Sequence, residues 1–289
     1  MKNTASILGL YAVTPCHAGS GTSVGVVDLP IQRERHTNWP VIQASGMKGA
    51  LRAHFDRFKN SITAKPEEEA FKKITELIFG SDSRDNDHAG SLSVGDVKIL
   101  AFPMRSNVAP FVWITCPAVM KRLNQDLALT GRKTINLASL QELTIDKALW
   151  ANGLFKQGDR ILLEDMEVTA TGSYSLGEGT SFFQEAERLL VVHDEVFGYG
   201  VSNCTSVMAQ IKIDQKTGTT ANGSLRYQEE LPADTLMYSV IFWGDSRDDK
   251  ESLKADAIRG YIQDEVVSGH IQIGGDETLG RGIFSLTWF

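Results

Sequence analysis

Apolar and polar positions recur along this chain in two rhythms, and each rhythm predicts a different element. Residues 7–13 (ILGLYAV) are apolar with interspersed small residues and break at Pro15, which predicts a strand. Met47, Ala50, Leu51, Phe55 and Phe58 then repeat at helical spacing behind Ser45, a suitable N-cap. A second helix opens at Pro66, buries Ala70, Phe71, Ile74, Leu77 and Ile78, and stops at Gly80. A polar, aperiodic loop (SDSRDNDHAG) follows. Leu92, Val94, Val97 and Ile99 then mark a strand bent at Gly95 and Asp96. Met120, Leu123 and Leu127 predict a short helix after Pro117, residues 160–171 alternate as strands, and FFQEAERLL (182–190) reads as another short helix. Residues 236–243 are apolar enough for a central strand, and a last helix over 253–267 precedes a final strand pair.

Residues 202–228 differ from the rest in being small, polar and β-branched. They read as a long hairpin, with arms at 207–213 and 224–228 and a turn at Lys216, Thr217 and Gly218. Few of its residues suit a core, so the hairpin is expected to project. The order strand–helix–strand, met twice, predicts an α+β fold: one ferredoxin-like core carrying long insertions. No repeat of fixed period and no low-complexity linker interrupts it.

Composition narrows the function classes. The 289 residues are 42% hydrophobic and 22% charged, as in a globular chain, and no apolar run approaches the ~20 residues of a membrane span. Cys16, Cys116 and Cys204 form no CxxC pair, so neither a zinc site nor a disulfide framework is expected, and a cytoplasmic setting is. The formal net charge of −7 opposes general nucleic-acid binding unless basic residues gather on one face. Such a face is available: Arg33, Arg35 and His36 precede the first helix, and Lys48, Arg52, Arg57 and Lys59 lie on it. Acids concentrate elsewhere, at 67–69, 82–87 and 245–251.

The candidate chemistry is sparse. There is no Ser-His-Asp, HExxH or P-loop pattern. Asp28 stands alone among Val26, Val27, Leu29 and Pro30, where an acid is either a turn residue or one held for chemistry. His17 leaves the first strand and is a structural hydrogen-bonding group or a catalyst. Glu229 and Glu230, at the foot of the hairpin, are solvated edge charges or partners in a metal or base constellation. Lys48 and Arg52, one turn apart behind a helix N-terminus, suit phosphate. Gly274, Gly275, Gly280 and Gly282 permit positive φ and close backbone approach, with Arg281 among them as a candidate phosphate contact. The letters GGDE within that run also occur in diguanylate cyclases, but no strand-borne metal acid precedes them at a suitable place.

Three strings carry a family resemblance: YAVTPCHAGSGTSVGVVDLPIQRERHTNWPVIQASGMKGALR, FGSDSRDNDHAGSLSVGDVKIL and IQIGGDETLGRG. In order and spacing the chain resembles the RAMP superfamily, and within it the backbone subunits of type III-B CRISPR effectors, the Cmr complexes. The resemblance implies one domain over residues 1–289, shaped as a right hand with a ferredoxin-like palm. Finger-type insertions are expected at about 60–90 and 115–158, and a thumb hairpin at about 201–228. Copies would stack as a filament along a guide CRISPR RNA, beside other subunits of the effector and away from any membrane. The thumb would kink the guide–target duplex, and the adjacent target RNA phosphodiester would be cut.

By the same resemblance Asp28, in VVDLP, is the catalytic acid and the holder of a divalent metal ion (Mg or Mn). His17 falls in the HxGSG string, and Glu229 or Glu230 matches the acid at the thumb's base. Ser45, Lys48, Gly49 and Arg52 correspond to the guide-RNA contact. Gly274, Gly275 and Arg281 complete the RNA-facing set. A nuclease of this kind needs no protein nucleophile, because the RNA's own 2′-hydroxyl can attack. Two alternatives stay open: a filament subunit that holds guide without cutting, and a stand-alone endoribonuclease that matures the guide precursor.

Overall fold

The computed structural model describes residues 5–59, 65–81, 88–153, 155–247 and 253–289. In chain order the first strands are β1 (Ala5–Ala12), β2 (Val41–Ile42), β3 (Leu92–Val94), β4 (Val97–Arg105) and β5 (Phe111–Thr115). They are followed by β6 (Lys147–Trp150), β7 (Arg160–Leu163), β8 (Met166–Ser173) and β9 (Leu189–Val192). The last are β10 (Ser206–Gln210), β11 (Arg226–Glu230), β12 (Leu236–Trp243), β13 (His270–Gln272) and β14 (Ile283–Trp288). The helices are α1 (Ala44–Lys59), α2 (Lys65–Phe79), α3 (Pro117–Leu129), α4 (Asp194–Asn203) and α5 (Ala255–Gly260).

Four strands lie side by side in the order β14-β1-β12-β4, every neighbouring pair antiparallel. With α1 between β1 and β4, and α5 between β12 and β14, this is the βαββαβ ferredoxin-like palm that the strand–helix order predicts. β1 and β12 are locked in register from Ala5 opposite Phe242 to Tyr11 opposite Leu236. A one-residue slip would turn buried Ile7, Leu8 and Leu10 onto the wrong faces. α1 closes one side of the sheet with Met47, Leu51 and Phe55, all at most 2% exposed. Burial of each contributes roughly 1.5–3 kcal/mol. The ring of Phe55 meets Phe71 of α2 at 5.8 Å and Phe79 at 5.1 Å, which fastens α2 to the palm.

Everything between β4 and β12, residues 106–235, is one long insertion. Its strands β5 to β9 do not fold apart from the palm. They extend the same sheet in the order β4-β5-β9-β6-β8-β7, with β5 and β9 parallel. The finger-type region expected at 115–158 is therefore part of a larger sheet extension. FFQEAERLL also departs from expectation: its first residues end a 3-10 turn (Gly177–Phe183) and its last begin β9. Leu189, Leu190, Val191 and Val192 are each fully buried, and a strand buried on both faces loses the alternation that would announce it. The bend at Gly95 and Asp96 is present, with Gly95 donating its N–H to Val240 O at 2.8 Å.

β10 and β11 form a separate two-stranded ribbon, registered from Ser206 opposite Glu230 to Gln210 opposite Arg226. The hairpin thus begins later than expected, because residues 201–203 still belong to α4, and it ends at Glu230. Its outer part carries exposed apolar residues, among them Met208, Ile211, Ile213 and Leu225. Its last three residues are buried. Among the described residues no helix is long and apolar enough to cross a membrane.

Candidate active site and nucleic-acid interface

The site is assembled around the last three residues of β11. After β1 the chain turns out of the palm, and Cys16 and Leu231 exchange backbone hydrogen bonds at 2.9 and 2.8 Å. The segment then doubles back on itself: Ser20 N–H reaches Pro30 O at 3.0 Å and Gln32 N–H reaches Ala18 O at 2.8 Å. Its tip is open to solvent, with Val24 and Val26 fully exposed. Asp28 lies where the returning arm meets the β10–β11 hairpin, the expected thumb. Leu29 N–H donates to Tyr227 O at 3.0 Å, Glu229 N–H donates to Leu29 O at 2.9 Å, and Asp28 Oδ2 accepts the Tyr227 N–H at 2.7 Å. The acid that the sequence places in a glycine-flanked loop is therefore pinned to the thumb's base by one oxygen. Its other oxygen accepts no hydrogen bond among the described residues.

Gln228 and Glu230 anchor the glycine-rich loop, and Glu229 anchors the arm that bears Asp28. Gln228 donates its amide to Asp276 in the glycine-rich loop. Glu229 accepts from Arg33 (2.6 Å) and Thr205 (2.7 Å) on one oxygen and from the Ile31 N–H (3.0 Å) on the other. Burial disfavours its charge, yet the hydroxyl, the guanidinium and the amide together hold its carboxyl below the usual range. Glu230, 1% exposed, accepts from Arg281 Nε at 3.0 Å. Neither glutamate is a solvated edge charge. Arg281, a candidate phosphate contact from sequence, has its guanidinium turned to Glu230, and Arg33 of the expected basic face is held by Glu229.

His17 Nδ1 stands 2.7 Å from Glu229 O. A carbonyl only accepts, so Nδ1 carries the proton and Nε2 remains the basic nitrogen. The ring lies over Gly19, where a Cβ would stand 2.7 Å from Nε2. The glycine-rich loop supports His17 from behind: Gly275 N–H donates to His17 O at 2.9 Å. Gly274 has φ +90°, and a Cβ there would fall 2.6 Å from the same oxygen. Gly282, at φ +74°, leaves no room at all, since its Cβ would lie 1.9 Å from Ile273 O. Gly274 and Gly275 thus face His17 directly, and close backbone approach is what their sequence pattern predicts.

On α1, the Asp96 carboxylate accepts the Ala44 N–H at 2.7 Å, so Asp96 caps the helix that Ser45 was expected to cap. Ser45 lies inside the first turn and is exposed. It shares a face with Gly49 and Arg52 at spacings of four and three, with half-buried Lys48 at its edge. Burial, and then the neighbouring charges of Arg52 and Arg247, hold the Lys48 ammonium below its usual range. Gly49 is exposed, and a Cβ there would touch nothing within 4 Å. A mid-helix glycine costs about 1 kcal/mol relative to alanine, and no packing inside this chain explains it. An external backbone lying along the helix would.

The profile of the RAMP superfamily matches residues 10–285. The chain belongs to the RAMP superfamily. The CRISPR system Cmr endoribonuclease Cmr4 of Pyrococcus furiosus is 35% identical, over 98% of this chain and 95% of its own. The CRISPR system CMR subunit Cmr4 of Saccharolobus solfataricus is 27% identical, over 96% and 94%. The crystal structure of oligomeric Cmr4 from Pyrococcus furiosus superposes with a TM-score of 0.70 at 28% identity, covering 98% of this RAMP chain and 97% of that one. A chain of the type III-B Cmr-beta assembly bound to cognate target RNA gives a TM-score of 0.76 at 22% identity, over 98% and 96%, a likeness of fold.

The geometry separates the site residues expected from the sequence into two groups. His17, Asp28, Glu229, Glu230, Gly274, Gly275 and Arg281 meet at the thumb's base, whereas Ser45, Lys48, Gly49 and Arg52 line α1. Thr205, Asp276 and Tyr227 escape a reading of the sequence, as do the roles of Arg33 and Asp96, because each acts through a partner remote in the chain. Among the described residues no three His, Cys, Asp or Glu side chains gather as a metal cluster. The donor set at Asp28 is a single carboxylate, which fits the one-carboxylate share by which Mg²⁺ is held when phosphate and water supply the rest.

Proposed function

We propose that this chain is the backbone subunit of an RNA-guided type III-B CRISPR effector and cuts the target RNA paired with its guide. Copies of it would stack along the guide CRISPR RNA beside the effector's other subunits. The guide lies on the Ser45–Gly49–Arg52 face of α1, gripped through its backbone, so any guide sequence is accepted and base pairing selects the target. The observation that carries the cutting role is Asp28: one carboxylate oxygen is fixed by the Tyr227 N–H at the thumb's base, and the other is left free among the described residues.

In the step itself the target's 2′-hydroxyl oxygen attacks the adjacent phosphorus and the bond to the 5′ oxygen breaks, leaving a cyclic phosphate and a free 5′-hydroxyl. A thumb that displaces one nucleotide brings attacking and leaving oxygens into line. A divalent ion, Mg or Mn, held by Asp28 together with the RNA would offset charge on the phosphate. His17 Nε2 is oriented, through the bond at Nδ1, as a nitrogen able to accept or return a proton. Glu229 and Glu230 act through others, by fixing the loop that bears Asp28 and the loop that backs His17. The test is an assembled complex carrying Asp28→Asn: guide content should be unchanged and target cleavage lost. Cleavage at the usual positions would favour a subunit that only holds guide, and processing of repeat RNA by the chain alone would favour the maturation enzyme.

A further inference from the structure

A cavity of about 550 Å³ opens beside the α1 face, bounded by Ser45 and Lys48 of α1, the Phe79–Gly80 end of α2, His88 and Arg247. Its charge is unbalanced. Lys48 and Arg247 are close enough that the guanidinium lowers the proton affinity of the ammonium, and neither has a hydrogen bond or ion pair among the described residues. The nearest helix-capping acid, Asp96, is committed to the Ala44 N–H. Two cations that line one cavity without a counter-charge among the described residues call for an anion there. A second observation is independent of charge: His88 Nδ1 is shielded from solvent and has no hydrogen-bond partner among the described residues. Buried polar atoms without a partner are rare and point to a partner supplied from outside. The volume exceeds what a lone phosphate needs and lies in the range of small-molecule sites. Phe79, Leu92 and Val94 provide an apolar side to the same cavity.

We propose that this cavity seats one nucleotide of the bound guide RNA, with its phosphate between Lys48 and Arg247 and its base toward His88. The inference rests on the reading of α1 as the guide-binding face. It adds Arg247, which lies outside the α1 motif and follows β12, as an RNA contact. It also turns part of the guide path from a surface into a pocket. Ser45, exposed at the mouth, supplies a hydroxyl to the same phosphate.

The experiment uses the assembled effector with guides carrying 4-thiouridine at single positions, and compares the wild type with Arg247→Ala, Arg247→Glu and Lys48→Ala. Arg247 is exposed, so its replacement leaves the fold intact. Arg247→Glu should weaken guide binding roughly ten- to a hundredfold. Arg247→Ala should lower the salt slope by about 0.7, the share of one single-strand phosphate. Crosslinks should map to the peptide containing His88 from guide positions spaced at the subunit repeat. Loss of binding in Lys48→Ala but not in either Arg247 variant, without crosslinks at His88, would overturn the pocket and leave the α1 face standing. Undiminished binding in all three variants would overturn both. A saturable rise in melting temperature of the guide-free chain with AMP, without guide crosslinks, would make the cavity a mononucleotide site and refute the assignment to guide RNA.

Discussion

Removal of the Glu229 carboxylate should destabilise the protein before it touches the chemistry, and the size of the effect follows from its partners. Glu229→Ala leaves a guanidinium, a hydroxyl and a backbone amide without their acceptor, in a site where Glu229 is 7% exposed. Breaking a buried pair costs about 3–5 kcal/mol. The lower end applies, because Arg33 keeps the carbonyls of Asn38 at 2.7 Å and Val201 at 2.9 Å. At about 2.1 cal/mol/K per residue, unfolding of 289 residues carries an entropy near 0.6 kcal/mol/K. A loss of about 3 kcal/mol therefore lowers Tm by about 5 °C. Glu229→Gln, which keeps an acceptor but loses the charge, should fall between this variant and the wild type. The pH dependence has a definite sign. The folded carboxyl sits below its unfolded value, so its contribution is full above the unfolded pKa and is lost as pH falls through the lower folded one. Tm measured by calorimetry from pH 7 down to 3 should bring wild type and Glu229→Gln together at the acid end. A Glu229→Ala protein that melts within 1 °C of wild type at pH 7, yet no longer cuts, would refute this reasoning and place the carboxylate in the chemistry.

Three further outcomes are expected. Asp28→Asn keeps an oxygen for the Tyr227 N–H, so stability should change by under about 1 kcal/mol while cleavage falls at least a hundredfold in a gel assay of target RNA. Gly49→Leu should stabilise α1 by about 0.8 kcal/mol and raise Tm slightly, and should nonetheless weaken guide retention, measured by filter binding, because the new side chain occupies the surface where the guide lies. Shortening the hairpin tip within residues 211–225 should leave Tm unchanged and blur the regular spacing of cleavage products; unchanged spacing would mean that another element places the scissile phosphate.

The palm was legible because its elements announce themselves locally. Met47, Leu51 and Phe55 repeat at helical spacing and are the residues buried, and the Gly95–Asp96 bend divides β3 from β4 as its composition implies. β9 escaped because four consecutive buried residues leave no alternation to read. The cap of α1 escaped because Asp96 reaches Ala44 across 52 positions, whereas Ser45 is adjacent and of the right type. The same physics explains the thumb's base. Glu229 and Glu230 look like surface acids because their cations, Arg33 and Arg281, lie 196 and 51 residues away. What the sequence could not convey is that three neighbours on β11 hold two remote segments: Gln228 and Glu230 hold the glycine-rich loop through Asp276 and Arg281, and Glu229 holds the Asp28 arm and the end of α4. That arrangement has a functional consequence. A tilt of the hairpin cannot occur without displacing Asp28, through Tyr227 N–H, and His17, through Glu229 O. On the proposed function, the element that would meet the duplex and the groups that would face the phosphate are tied together by these bonds, so the carboxylate would be carried to whichever phosphodiester the hairpin exposes, whatever the sequence around it.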